Sequence, residues 1–222
     1  MLLTFDIDVA SIAEHDHWHT YEHLPERLSI PGFLRGTRWV IVEGQPRYMV
    51  LYEVESLATL TSAHYLARLN APTPWTAKMM THYRAMTRGF CSVVRSTGLG
   101  LGQFALLVRY KPVPGTDAGV AAWLSDEVLP DLPSRPGLGS AHLLHTAATP
   151  TMTTEQRIRG VDKTVDSALI MTAHDDVALM KAGDQILGAS GIEGRGGTEV
   201  SSDLYAIHYS LSRTEIDASS VT

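Results

Sequence analysis

Sliding the chain on itself by 105 positions lays WHTYEHLPERLSIPG (18–32) over WLSDEVLPDLPSRPG (123–137), and seven of the fifteen positions are identical. The pairs are Trp18 with Trp123, Glu22 with Glu127, Leu24 with Leu129, Pro25 with Pro130, Ser29 with Ser134, Pro31 with Pro136 and Gly32 with Gly137. A repeat of this period restricts the fold more than any composition figure, because one supersecondary unit must then be built twice and packed on itself.

The segments around the match agree with it. Residues 2–9 and 104–110 read as strands, followed by helices over 11–29 and 117–132. Pro-Gly ends each helix and returns the chain to a strand, at 36–43 and 139–146. Third strands (47–55 and 166–174), second helices (57–69 and 176–188) and last strands (89–96 and 203–210) complete two βαββαβ units, the ferredoxin-like arrangement. The expected class is α+β, with repeats over 1–98 and 103–214, a tail over 215–222, and the glycine-spaced GLGLGQ (98–103) as linker. Each unit leaves one face of its sheet apolar, and the two sheets can cover each other within one chain as a pseudo-dimer. Such a chain needs no partner to close a barrel, so a monomer or a homodimer is expected.

The Trp-x3-Glu-x-Leu-Pro…Pro-Gly pattern after a first strand, present in both halves, resembles the dimeric α/β-barrel superfamily and in particular its EthD-like members. The resemblance covers nearly the whole chain as architecture. It implies a range of activities rather than one: cofactor-free monooxygenases, polyketide cyclases, lactone isomerases and haem enzymes share the fold, so the site has to decide.

Composition removes several classes. A net charge of −6 and scattered basic residues give no stripe for nucleic acid. No apolar run approaches the roughly 20 residues of a membrane span, and 1–9 lacks the form of a signal peptide, so a cytoplasmic protein is expected. The single cysteine, Cys91, sits in GFCSVV and reads as a strand thiol rather than a nucleophile.

Three of the ten histidines fall within residues 17–26, HWHTYEHLPE. On a helix, His15, His19 and His23 recur every four residues and share a face. His15 and His17, nearest the helix start, read as solvated. His19 and His23 differ, because the second half carries Leu124 and Val128 at their places, and apolar residues there point to an inward-facing position in both halves. His19, Glu22 and His23 also spell H-x-x-E-H, the inverted zinc motif, but no third ligand follows at a suitable distance, and Glu22 recurs as Glu127 without histidines.

The expected protein is therefore a small-molecule enzyme with its cavity between the first helix and the sheet of the N-terminal half, working by proton transfer without cofactor or metal. His23 is the candidate base, with His19 or Asp6 orienting it or serving as acid, and Arg38 steadying an oxyanion through its planar guanidinium. Trp39, Tyr52, Trp75, Met79 and Tyr83 are the candidates for holding an apolar or aromatic substrate. Isomerase, lyase, cyclase and cofactor-free oxygenase chemistry all suit this set. Two alternatives stand beside it: a metal or haem enzyme through His19 and His23, and a non-catalytic binding protein for a hydrophobic small molecule.

Overall fold

The computed structural model describes residues 1–148 and 152–219. Its strands are β1 (Leu2–Ile7), β2 (Phe33–Ile41), β3 (Tyr48–Val54), β4 (Tyr83–Thr97), β5 (Phe104–Pro112), β6 (Leu138–Ala148), β7 (Ser167–Ala173) and β8 (Gly197–Ser212). They close into one antiparallel barrel in the order β1-β3-β2-β8-β5-β7-β6-β4. The expected packing of two sheets takes the form of continuous pairing: β2 bonds β8, with Arg35 opposite Ser212, and β4 bonds β6, with Thr97 opposite Ala141. Closure leaves no unpaired strand edge among the described residues.

Helices wrap the outside. They are α1 (Ile12–Trp18), α2 (Leu24–Leu28), α3 (Ala63–Asn70), α4 (Pro74–Met80), α5 (Asp117–Trp123), α6 (Thr154–Arg159), α7 (Asp176–Ile186) and α8 (Arg213–Ser219). Among the described residues no helix is long and apolar enough to cross a membrane.

Strand alternation divides the apolar residues among three cores. On β1, Leu3, Phe5 and Ile7 face Trp18, Leu24 and Leu28 of the first helical segment. Leu106, Val108 and Leu169 face Val120, Leu124 and Leu129 in the second half. Leu2, Trp39, Met49, Leu107, Ile170 and Tyr205 fill the barrel interior. Each fully buried side chain of this size contributes about 1.5–3 kcal/mol.

The Pro-Gly breaks behave as the sequence requires. Gly32 and Gly137 adopt φ of 88° and 89°, a left-handed conformation that ends the helical segment and starts β2 and β6. Two expectations need correction. The stretch AKMMTHYRAM (77–86) has the composition of a helix, but α4 stops at Met80 and Tyr83 opens a long β4. His208, which its strand position marks as a core or pseudo-interface residue, is exposed on β8, where its Nδ1 accepts from Arg38 of β2. Helix α6 was not anticipated.

Candidate functional site

The first helical segment is interrupted where it matters. After α1 the chain widens into a π turn over His19–His23, in which the Leu24 N–H reaches the His19 carbonyl, and then resumes as α2. Pro25 supplies the cause: it has no N–H to donate and its ring crowds the carbonyl of Tyr21 four residues back. Pro130 does the same in the second half, where Leu129 N–H bonds the Leu124 carbonyl at 2.8 Å across a π turn over Leu124–Val128. Such turns often carry functional groups.

His19 and His23 face the sheet across a cavity of about 30 Å3, room for about two waters. Leu3, Phe5, Val50 and Tyr52 form its floor, with Arg88 and Met86 from β4. Tyr65, Leu69, Met80 and Tyr83 stand around it, and Glu155 and Arg159 of α6 close it. The two imidazoles are 2% and 7% exposed, their ring centroids are 5.4 Å apart, and Nδ1 of each lacks a hydrogen-bond partner. The Tyr52 hydroxyl and Arg88 Nη2, both facing partnerless burial, are the unsatisfied donors of the same site. The remaining charges are paired. Arg27 donates to Glu155 and, at 3.0 Å, to Glu26, while Arg88 and Arg159 both hold Asp162 at 3.0 and 2.7 Å.

Burial sets the electrostatics. Loss of water holds both imidazoles well below the usual histidine range, and the Arg27 charge pushes His23 further the same way. Both are therefore neutral near pH 7. Burial pushes the phenols of Tyr52 and Tyr83 up, so each stays a proton donor.

A second network leads from the cavity to the surface. His15, expected to be solvated, is fully buried; its Nε2 meets the Tyr83 hydroxyl at 3.3 Å and its Nδ1 meets Asp16 Oδ1 at 3.3 Å. Asp16 also accepts from the Tyr48 hydroxyl at 2.8 Å. Burial alone would raise the Asp16 carboxyl, but the hydrogen bonds from His15 and Tyr48 and the charge of Arg38 hold it below the usual range. Burial lowers His15 despite Asp16.

The structure brings His19, His23, Tyr52 and Tyr83 to one cavity and leaves the other candidates outside it. Asp6 lies on the opposite face of β1 from Phe5, accepting the Arg47 backbone N–H at 2.7 Å. Arg38 donates to His208 at 3.2 Å, to Thr20 at 3.0 Å and to the Asp16 carbonyl at 3.3 Å, and does not reach the cavity. Trp39 points into the barrel core. Met79 is core, with Met80 taking the cavity position. Trp75 is half-buried on the outside of α4, bonded to Glu14 at 3.1 Å. His17 is exposed as expected.

Arg27, Arg88, Glu155 and Arg159 escaped the sequence reading. Arg27 was detectable, since Leu132 occupies its matched place just as Leu124 and Val128 occupy those of the histidines. Glu155 and Arg159 lie on a segment without a counterpart in the first half and carried no signal.

Glu22 does not join the histidines. Its Oε1 accepts from Trp18 Nε1 (3.1 Å), Thr73 Oγ1 (2.6 Å) and Thr76 Oγ1 (3.2 Å), tying the π turn to the start of α4. Among the described residues no three His, Cys, Asp or Glu side chains converge on a point that could hold a metal. In the closed state the space between the histidines and the sheet is far smaller than a porphyrin and is covered by the Arg27–Glu155 pair, so a haem, like any larger molecule, would have to displace Glu155 and Arg159 to reach His19 or His23.

The site sits in an α+β protein built on a closed eight-stranded antiparallel barrel. No protein-family model matches the chain, and no curated protein does. Solved structures do: an anthrone oxidase-like protein superposes with a TM-score of 0.67 at 11% identity, over 96% of this chain and 91% of that one. A chlorite dismutase from Candidatus Nitrospira defluvii, in complex with imidazole, superposes with a TM-score of 0.54 at 13% identity, over 100% of this chain and 94% of that one. At these identities the likeness is one of fold.

Proposed function

We propose that the chain is a small-molecule enzyme that removes a proton next to a carbonyl, with His23 as the base and His19 beside it. The observation that carries this reading is the meeting, in one closed cavity, of two neutral unbonded imidazoles and two unpaired donors, Tyr52 O–H and Arg88 Nη2. A proton taken by a buried imidazole leaves negative charge on the substrate oxygen, and preorganised donors in a water-poor site stabilise such charge strongly. Arg88 takes the part that the sequence suggested for Arg38. The chain Tyr83–His15–Asp16 returns the proton to the surface, where Asp16 is partly exposed.

Removal of a proton next to a carbonyl is common to isomerase, lyase, cyclase and cofactor-free oxygenase reactions, and the name of the anthrone oxidase-like neighbour favours the last. The apolar floor of Leu3, Phe5 and Val50 suits the flank of an apolar or aromatic carbonyl compound. Such a substrate is larger than the closed cavity, so it enters by displacing Glu155 and Arg159. In this reading residues 1–98 and 103–214 are two copies of one duplicated unit, the second retained as structure.

The test is hydrogen exchange. A panel of aryl ketones and 1,3-dicarbonyl compounds in D2O, followed by NMR, should show protein-catalysed deuteration next to the carbonyl. His23→Gln should slow it by roughly 10²- to 10⁴-fold. Exchange that is absent across the panel, or undiminished in both His23→Gln and His19→Gln, would remove the proposal.

A further inference from the structure

A larger space lies inside the barrel. Side chains fill its middle, but at the end where β1 begins and β4 leaves for the 98–103 connection there is a pocket of about 540 Å3, within the roughly 300–1,000 Å3 of small-molecule sites. Its walls are Trp39, Leu51, Leu144 and Ile170, from β2, β3, β6 and β7. Met1 and Tyr52 border both this pocket and the histidine cavity, which otherwise lie on opposite faces of the sheet.

The polar groups here are unevenly engaged. His142 is bonded through both ring nitrogens, to Ser96 at 2.7 Å and Ser140 at 3.2 Å, and Thr172 shares a 2.8 Å bond with Ser140. Arg35 and Glu53 sit at the rim and face each other at 3.7 Å. Trp39 is the exception: it is 1% exposed, lines the pocket, and its Nε1 has no acceptor. A buried donor without a partner is costly, and an acceptor brought by a ligand removes that cost.

We propose that the barrel mouth is a second small-molecule site, taking an uncharged and mostly apolar molecule whose single carbonyl oxygen accepts the Trp39 indole N–H. An uncharged ligand suits these walls, because the charged side chains at the rim, Arg35 and Glu53, pair with each other. A bicyclic aromatic ketone matches the shape of the chemistry: apolar faces against Leu51, Leu144 and Ile170, one acceptor toward Trp39. This site stands independently of the proton-transfer reading.

The test compares two near-isosteres, 2-acetylnaphthalene and 2-isopropenylnaphthalene, which differ in carbonyl against alkene. Binding is read by tryptophan fluorescence and by protection of Cys91, the chain's one cysteine and a pocket residue, from a small maleimide. Both compounds should bind saturably, the ketone about 3- to 10-fold more tightly, and Trp39→Phe should abolish that preference while keeping the apolar wall. Val93→Trp, at a rim position that is 60% exposed and so tolerant of substitution, should block both compounds. The proposal is overturned if neither compound binds or protects Cys91, if the preference for the ketone survives Trp39→Phe, or if Val93→Trp leaves affinity unchanged.

Discussion

In both halves of the barrel a helix widens into a π turn directly after a tryptophan, over His19–His23 in one and Leu124–Val128 in the other. A leucine-proline pair follows each turn, and a left-handed glycine ends each segment. The inward faces then diverge. His19, His23 and Arg27 in the first half stand where Leu124, Val128 and Leu132 stand in the second, and Leu124 and Leu132 are buried there in an apolar cluster. The same backbone thus supports a polar cavity on one side and a packed core on the other. Polar groups so deeply buried cost stability unless something compensates them, and Nδ1 of His19 and of His23 has no partner, nor have the Tyr52 hydroxyl and Arg88 Nη2 across the cavity. Ser125 Oγ, in the second π turn, also lacks a partner, but only in the first half do such atoms gather around a cavity, which is why the proposed chemistry is placed there.

Converting the first half to the second is the strongest way to break the contrast. His19→Leu with His23→Val installs the residues that the second half carries at matched places. Deuterium exchange of ketone substrates should fall by roughly 10²- to 10⁴-fold, while the melting temperature at pH 8 stays level or rises, since apolar groups replace unsatisfied polar ones. Retained exchange would mean that the histidines are structural.

The next effect concerns the ion pair over the cavity. Glu155→Leu alone leaves the buried Arg27 with only Glu26, and breaking a buried pair costs about 3–5 kcal/mol. Arg27→Leu together with Glu155→Leu recreates the Leu132 environment and should recover most or all of that loss, because apolar replacements of buried pairs are often neutral or stabilising. Urea unfolding of the two variants measures the difference. Equal destabilisation in both would show that Arg27 contributes through packing and not through its charge.

Sequence reasoning reached the strands and the inward histidines through periodicity and through the comparison of the halves, and it failed where neither applied. His15 continues the four-residue spacing of His19 and His23, but closeness to the helix start was taken to mean exposure; the aromatic rings of Phe5 and Tyr48, within 5.6 and 4.8 Å, bury it. Asp6 and Trp39 were assigned correctly to strands, and alternation alone would have sent them away from the helix side. Arg88 escaped because β4 begins at Tyr83, earlier than the apolar run suggested, whereas Tyr83 reached the candidate set as a helix residue and meets the cavity from the start of the strand. Glu155 and Arg159 come from a helix with no repeat partner, so only tertiary contact could place them over a cavity belonging to the other half.

Acid should separate the halves as well. Burial lowers the pKa of His15, His19 and His23 in the folded chain, whereas each sits near 6.5 when unfolded. Below that value the unfolded state binds protons that the folded state does not, so stability is complete above about pH 6.5 and falls as the pH drops. Each histidine contributes a slope of at most about 1.4 kcal/mol per pH unit. Thermal melts from pH 8 to pH 5 should show a steep acid loss in the wild type and a clearly shallower one in His19→Leu/His23→Val. Identical slopes would place the acid sensitivity outside the histidine cavity.

The smallest difference separates two residues that the sequence match pairs, Glu22 and Glu127. Glu22 accepts three hydrogen bonds, from Trp18, Thr73 and Thr76, and Thr73 is the residue that caps α4. Glu22→Ala strands these donors in a half-buried place and should cost about 1–3 kcal/mol. Glu127 is exposed, and its neighbour Trp123 is instead covered by Arg195, 4.0 Å from the ring centroid. Glu127→Ala should therefore stay within about 0.5 kcal/mol of the wild type, as surface substitutions usually do. Denaturant midpoints of the two single variants decide the matter: a comparable loss at both positions would mean that the glutamate still serves both halves alike, and that divergence stopped at the inward face of the helices.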